Sequence, residues 1–153
     1  MYLNRVRKVF GEKISGVLYH DRVGAYAIII SNRKIVVTRT RGGKIFLPGG
    51  KIEQDETEIE CIERECMEEL GMRVVVKELI AIGERYFYLE SNNMYSHPIA
   101  HFYYCDEYEK VSDPLEDGGE YMWMTFEEAM EQLYHPHHRW AVKLVCEKQE
   151  ETC

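Results

Sequence analysis

The chain has 153 residues, with 19 Lys and Arg against 27 Asp and Glu, a formal net charge of −8. That length suits one domain over residues 1–153, and 45% hydrophobic with 12% aromatic residues points to a packed core, not disorder. The acidic balance disfavours a nucleic-acid partner, no apolar run approaches the roughly 18 residues of a membrane span, and the basic stretch 1–13 lacks the apolar segment of a secretory signal.

Val23 to Ser31 (VGAYAIIIS) is a near-continuous apolar run, which predicts a strand buried on both faces. Asn32-Arg33 predicts a turn into a second β-branched strand, Lys34 to Thr40, so the two form a hairpin. Arg41-Gly42-Gly43 predicts another turn, and Ile45 to Leu47 a short strand stopped by Pro48-Gly49-Gly50. From Thr57 the period changes: Ile59, Ile62, Cys66 and Leu70 mark an amphipathic helix, and Gly71 suits its left-handed stop. Arg73 to Glu90 and Pro98 to Cys105 return to strand composition, with Asn92-Asn93 between them, which suggests an antiparallel pair. Asp113 to Gly119 reads as an acidic loop, and the histidines of His135-Pro136-His137-His138 as a loop between two helices, Phe126 to Tyr134 and His138 to Lys148. Thr125 is the expected cap of the first of these. The sum is an α/β protein, a mixed sheet with helices on both sides. Five cysteines without a CxxC pair suggest reduced thiols in a cytoplasmic protein.

The informative segment is Gly50 to Met72. On a helix, Glu65, Glu68 and Glu69 fall within about one 100° arc. Like charges at these spacings repel by roughly 0.2–0.5 kcal/mol per pair, and they stand in the last turns, where the helix dipole is already negative. A cation on that face removes both penalties, and clustered carboxylates favour a hard ion such as Mg²⁺ or Mn²⁺ over zinc. The alternative is a solvated helix face. Arg64, eight residues after Glu56 and four before Glu68, can order those carboxylates, and Leu47-Pro48-Gly49-Gly50 offers a tight loop whose backbone can approach an ion or phosphate.

Gly50, Glu56, Arg64, Glu65, the apolar Cys66, Glu68, Glu69, Gly71 and the apolar Met72 stand at the spacings of the Nudix box, and the chain resembles the Nudix, or MutT-like, hydrolases over that segment. Weaker likeness extends to Phe46-Leu47-Pro48-Gly49-Gly50 and to Glu120 and Trp123. The resemblance implies an α/β/α sandwich with a loop-helix-loop catalytic motif. It further implies Mg²⁺- or Mn²⁺-dependent pyrophosphohydrolysis of a nucleoside diphosphate linked to a group X, by water attack at phosphorus. By the same analogy the metal ligands are Glu65, Glu68, Glu69, the carbonyl of Gly49, and Glu120 with Glu116 as its neighbouring alternative. Glu68 is the expected general base, with Glu69 or an acid outside the box as alternatives, and Glu56 and Arg64 hold the motif in place. A homodimer is suggested by fold analogy alone.

Arg22, Arg39, Arg41, Lys44 and Arg85 are candidate phosphate contacts, Arg22 and Arg39 first among them because they flank strands leading to the Pro48 loop. Tyr86, Phe87 and Tyr88 offer faces for a base, with ordinary sheet packing as the alternative. No Walker A loop, GxGxxG or GxSxG elbow occurs, so ATPase, dehydrogenase and serine-hydrolase readings fall away. The competing class is a non-catalytic nucleotide-sensing or protein-interaction module on the same fold. Group X stays open among nucleoside triphosphates, dinucleoside polyphosphates, ADP-ribose and nucleotide sugars.

Overall fold

Hydrophobic periodicity along the longest strand explains the layering. The structure, a computed structural model, describes residues 6–116 and 119–151; Gly118 of the predicted acidic loop and Cys153 lie outside it. In chain order the elements are β1 (Val6–Phe10), β2 (His20–Ser31), β3 (Lys34–Arg39), β4 (Ile45–Phe46), β5 (Gly49–Lys51), α1 (Glu58–Leu70), β6 (Met72–Val75), β7 (Glu78–Arg85), β8 (Phe87–Leu89), β9 (Met94–Cys105), β10 (Glu107–Lys110), β11 (Glu120–Thr125), α2 (Phe126–Gln132) and α3 (Pro136–Glu151). Ala25, Ala27 and Ile29 of β2 pack with Cys61, Ile62, Cys66 and Leu70 of α1. The alternate residues Ile28 and Ile30 pack with Phe126, Leu133, Val142 and Val145 below α2 and α3. The predicted strand is therefore buried on both faces, and the expected α/β/α sandwich is the fold. Each isoleucine so buried contributes about 1.5–3 kcal/mol.

The main sheet runs β1-β7-β9-β2-β3-β11, with β4 on β3, β5 on β2 and β8 on β9. The pairs β1/β7 and β2/β9 are parallel and the others antiparallel, so the sheet is mixed as expected. The β2–β3 hairpin closes at Ser31 and Lys34, and Asn32 and Arg33 both take positive φ (52° and 62°), the geometry of a two-residue turn matched to strand twist. Helix α1 starts on a reciprocal capping box between Thr57 and Glu60 and stops at left-handed Gly71. Thr125 caps α2 in the same way.

Several expectations change. Arg73 to Glu90 is three strands, because β6 leaves the main sheet to form an antiparallel ribbon with β10. Strand β9 begins at Met94, ahead of the predicted Pro98, and Pro98 lies opposite Arg22 in the parallel ladder. Strands β1, β5, β10 and β11 lie outside the predicted strands: β5 pairs Gly49 and Gly50 with Tyr26 and Ala25 of β2 where a loop is expected, and β11 pairs along β3 with Glu120 opposite Arg39. The histidine loop is not a loop throughout: Pro136 opens α3, so His137 and His138 are buried in its first turn, as suits a proline that needs no intrahelical N–H bond there. Burial holds both rings neutral, His137 pulled down to about 3 and His138 well below its ordinary value. His97 is buried between Asp21 and Glu84, each at 2.8 Å, while Arg7 bonds the other Glu84 oxygen, which ties β2, β9, β7 and β1 together. Among the described residues no helix is long and apolar enough to cross a membrane.

Candidate active site

Backbone geometry brings the Pro48-Gly49-Gly50 loop against the C-terminal half of α1. Gly49 takes φ +142°, and a Cβ there would lie 2.2 Å from the carbonyl oxygen of Ala25, so only glycine fits. At Gly50 a Cβ would stand 2.8 Å from a carboxylate oxygen of Glu65. The Gly49 N–H donates to Glu69 Oε1 at 2.8 Å, fastening the loop to the helix.

Arg64 is the hub of the charges. Its Nε and Nη2 donate to the two oxygens of Glu56 at 2.7 and 3.0 Å, and Nη1 reaches Glu65 at 2.9 Å and Glu68 at 3.3 Å. Nη2 also meets the Lys51 carbonyl at 3.3 Å. The bidentate guanidinium, helped by the Glu53 N–H at 3.0 Å, pulls the Glu56 carboxyl down to about 2 against the opposing effect of burial. Arg64 rises in return, so the pair stays charged.

Around this hub the acids converge. Glu65, Glu68 and Glu116 each offer a carboxylate oxygen, and these atoms lie within 4.8 Å of one another. The loop carrying Glu116 is fixed by backbone bonds, the N–H groups of Leu115 and Glu116 donating to the Glu68 carbonyl at 2.8 and 3.0 Å. Those bonds satisfy a carbonyl at the end of α1. Burial, reinforced by neighbouring carboxylates, raises Glu65 and Glu116. Glu69 is pushed up to about 9, chiefly by burial, which outweighs the Gly49 N–H. This is not a solvated face: the side chains of Glu65 and Glu68 are 14% and 34% exposed.

Glu69 makes metal-free stability depend on pH. The folded carboxyl keeps its proton up to about pH 9, whereas the unfolded one releases it above about 4.5. The native state then binds more protons than the unfolded state, so stability falls as pH rises through that window. In EDTA, Glu69→Gln should flatten the decline of Tm between those limits; a slope equal to that of the parent protein would contradict the burial of this acid.

Glu69 and Glu116 form one wall of a cleft of about 220 Å³, and Thr38, Arg39, Arg41 and Glu120 complete it. Glu120 is turned to Arg39 at 3.1 Å, exposed, so the acid grouped with Glu65 and Glu68 is its alternative, Glu116. The β3–β4 turn, closed by the Thr40 N–H on the Lys44 carbonyl at 2.9 Å, gives Arg41 to this cleft and Lys44 to a second one. Arg22 lines that second cleft with Phe46, Phe87 and Tyr134, and Arg85 and Tyr88 line its extension. Sequence reasoning thus named residues of two sites: Gly49, Glu56, Arg64, Glu65, Glu68 and Glu69 share the first, with Arg39 and Glu120 at its wall, while Arg22 and Tyr88 stand apart. Tyr86 stacks on His97 at 4.0 Å and packs within the fold, whereas Tyr88, 43% exposed, sets its ring against Tyr95 and its hydroxyl on Asn93. The convergence of Lys44, Arg85 and His135 was missed; their positive and aromatic character was the available signal, their common location was not.

The family model described as NUDIX domain matches residues 19–146. No curated protein sequence matches significantly. Among solved structures, a MutT NUDIX hydrolase from Burkholderia pseudomallei is similar at 25% identity and TM-score 0.64, covering 82% of this chain and 98% of its own. The ORF135 protein of E. coli (22%, TM-score 0.66, covering 86% and 92%) and a MutT protein from Bacillus halodurans (24%, TM-score 0.66, covering 80% and 80%) share the fold.

Proposed function

Since the chain belongs to the Nudix hydrolase family, whose members act on nucleoside diphosphate derivatives and generally use divalent metal ions, we propose that it cleaves a phosphoanhydride in a nucleoside diphosphate linked to a group X. Water attacks phosphorus, and Mg²⁺ or Mn²⁺ is the cofactor. The observation that carries this reading is the convergence of Glu65, Glu68 and Glu116 within 4.8 Å beside the partly buried Glu69. All the donors are carboxylate oxygens, which fit a hard divalent cation. Glu65, Glu68, Glu69, Glu116 and the carbonyl of Gly49 would hold it, with Glu120 within reach of the same cleft. Bound there, the ion supplies neutralisation of phosphate oxygens and a lowered pKa for water.

The chain's own residues do the rest. Glu68 has one oxygen held by Arg64 and a more open side chain than Glu65, so its other oxygen is the acceptor for the proton of attacking water; Glu69 is the alternative base. Arg64 and Glu56 fix the angle between loop and helix. Arg39 and Arg41, on the wall shared with Glu69, offer guanidinium donors to the phosphate chain, while Arg22 and Tyr88 contact the remainder of the substrate from the second cleft. A purely binding module has no use for such mutually repelling, partly buried acids. The four cysteines among the described residues are buried free thiols, which suit a reducing, cytoplasmic setting.

The test is a panel of nucleoside triphosphates, dinucleoside polyphosphates, ADP-ribose and nucleotide sugars, assayed with Mg²⁺ in ¹⁸O-water. One class should turn over with label in a phosphorus product. Nucleotide binding without turnover of any class would favour the sensing module.

A further inference from the structure

The second cleft concentrates positive charge in a protein of net charge −8. Arg22 comes from β2, Lys44 from the β3–β4 turn and Arg85 from the end of β7, and among the described residues none of the three forms an ion pair. Glu90, exposed on the cleft wall, pairs with none of them. Lys44 and Arg85 lie against aromatic rings instead. The Arg85 guanidinium lies 3.9 Å from the Phe87 ring centre, and the Lys44 ammonium 4.3 Å from that of Tyr134. Phe46 meets Tyr134 edge-on at 5.7 Å and tilts on His135 at 5.6 Å.

Two consequences follow from this packing. A cation already lies against a face of each of Phe87 and Tyr134, so a nucleobase stacking on that face would have to displace it. His135, which lines the cleft, is kept neutral, pulled down to about 2 by burial, by His137 and then by Arg85, Arg22 and Lys44. Arg85 Nη1 stands 3.2 Å from His135 Nδ1, and a guanidinium only donates, so the ring proton sits on Nε2. Arg22, Lys44, Arg85 and His135 therefore bring donors and positive charge to the cleft, against the single exposed carboxylate of Glu90 among its described lining residues.

We propose that this cleft is an anion site that takes a phosphate monoester carried by the substrate away from the scissile diphosphate. Resting on the hydrolase reading, this narrows the substrate class to nucleoside diphosphate derivatives that bear an additional terminal phosphate, with the β3–β4 turn lying between the two ends of the molecule.

Matched pairs test it: NADPH against NADH, and coenzyme A against 3′-dephospho-coenzyme A, each with Mg²⁺. The phosphate-bearing member of a pair should have kcat/KM higher by about tenfold or more, the worth of one good charge-assisted contact. Arg85→Gln and Lys44→Gln should bring that ratio toward one. A ratio near one in the parent protein, or one unmoved in both variants, overturns the proposal. A second measurement is independent of turnover. Inorganic phosphate titrated into the EDTA-treated protein should shift the NMR signals of His135 and of the Arg85 side chain saturably, more weakly in Lys44→Gln. Failure of the hydrolase reading would show as no turnover of any substrate with these shifts intact; absence of the shifts overturns the anion site whatever the turnover. Thermal melts of the variants identify any that fail to fold, and the lysine variant, at an exposed turn, keeps the test open if the arginine variant is lost.

Discussion

Glu68→Gln is expected to lower kcat by at least ~10², the usual loss when an acid-base or metal-assisting carboxylate is removed, and EDTA is expected to bring the parent protein to background until Mg²⁺ is restored. The substitution keeps the shape of the side chain and an oxygen for Arg64, now 3.3 Å away. It removes the charge and the proton acceptor. The carbonyl of residue 68 still anchors the Leu115–Glu116 loop, because that bond is made by backbone. The loss should therefore fall on kcat with little change in the melting curve. Undiminished kcat would pass the base to Glu69 or Glu116, and turnover in EDTA would sink the carboxylate mechanism altogether.

Arg64→Met should damage folding as well as catalysis. The guanidinium bonds three carboxylates and one carbonyl, and its closest partner, Glu56, has a side chain only 12% exposed. Methionine restores the volume and leaves that acid without its cation. Breaking a buried pair by removing one member costs about 3–5 kcal/mol; with Arg64 itself 24% exposed, about 2–3 kcal/mol is the appropriate scale. For a domain of this size that lowers Tm by roughly 5–10 °C. The pH dependence supplies a control. Glu56 is depressed to about 2 when folded, so its contribution is complete above the ordinary carboxylate range and is lost as pH falls from about 4.5 toward 2. The variant should lack that acid-labile contribution, and the two proteins should converge in Tm as the solution is acidified. A constant gap across the window would mean that the arginine acts through packing alone.

What could be read from the residues was mostly local. Thr57 and Gly71 bound α1 through contacts within a few residues of each end, and the β2–β3 hairpin needs only a two-residue turn between β-branched runs. The pattern of Gly50 to Met72 likewise names Arg64 and its acids because one helix carries most of them. Long-range pairings were hidden. Strand β10 is exposed along its length and has no apolar alternation, so its partnership with β6 shows only in three dimensions. Strand β11 has strand-forming residues, Tyr121, Trp123 and Thr125, but adjoins an acidic, glycine-containing loop, and its partner β3 lies some eighty residues away. That Glu116 rather than Glu120 lies beside Glu65 and Glu68 depends on two backbone hydrogen bonds to the end of a helix, and side-chain identity carries no trace of those. The second cleft gathers Arg22, Lys44, Arg85 and His135 from four separate places, and no spacing rule joins them.

Cys61 and Cys66 lie on the buried face of α1, Cys105 ends a central strand and Cys146 is on α3, all shut away from solvent. Burial drives the Cys61 and Cys105 thiols up to about 12 and raises the other two as well, so none is nucleophilic at neutral pH. Each sulfur becomes alkylatable only when the layer above it lifts. Iodoacetamide thereby turns into a stopwatch for breathing of the sandwich, with Cys61 and Cys66 timing the catalytic helix and Cys146 the opposite face.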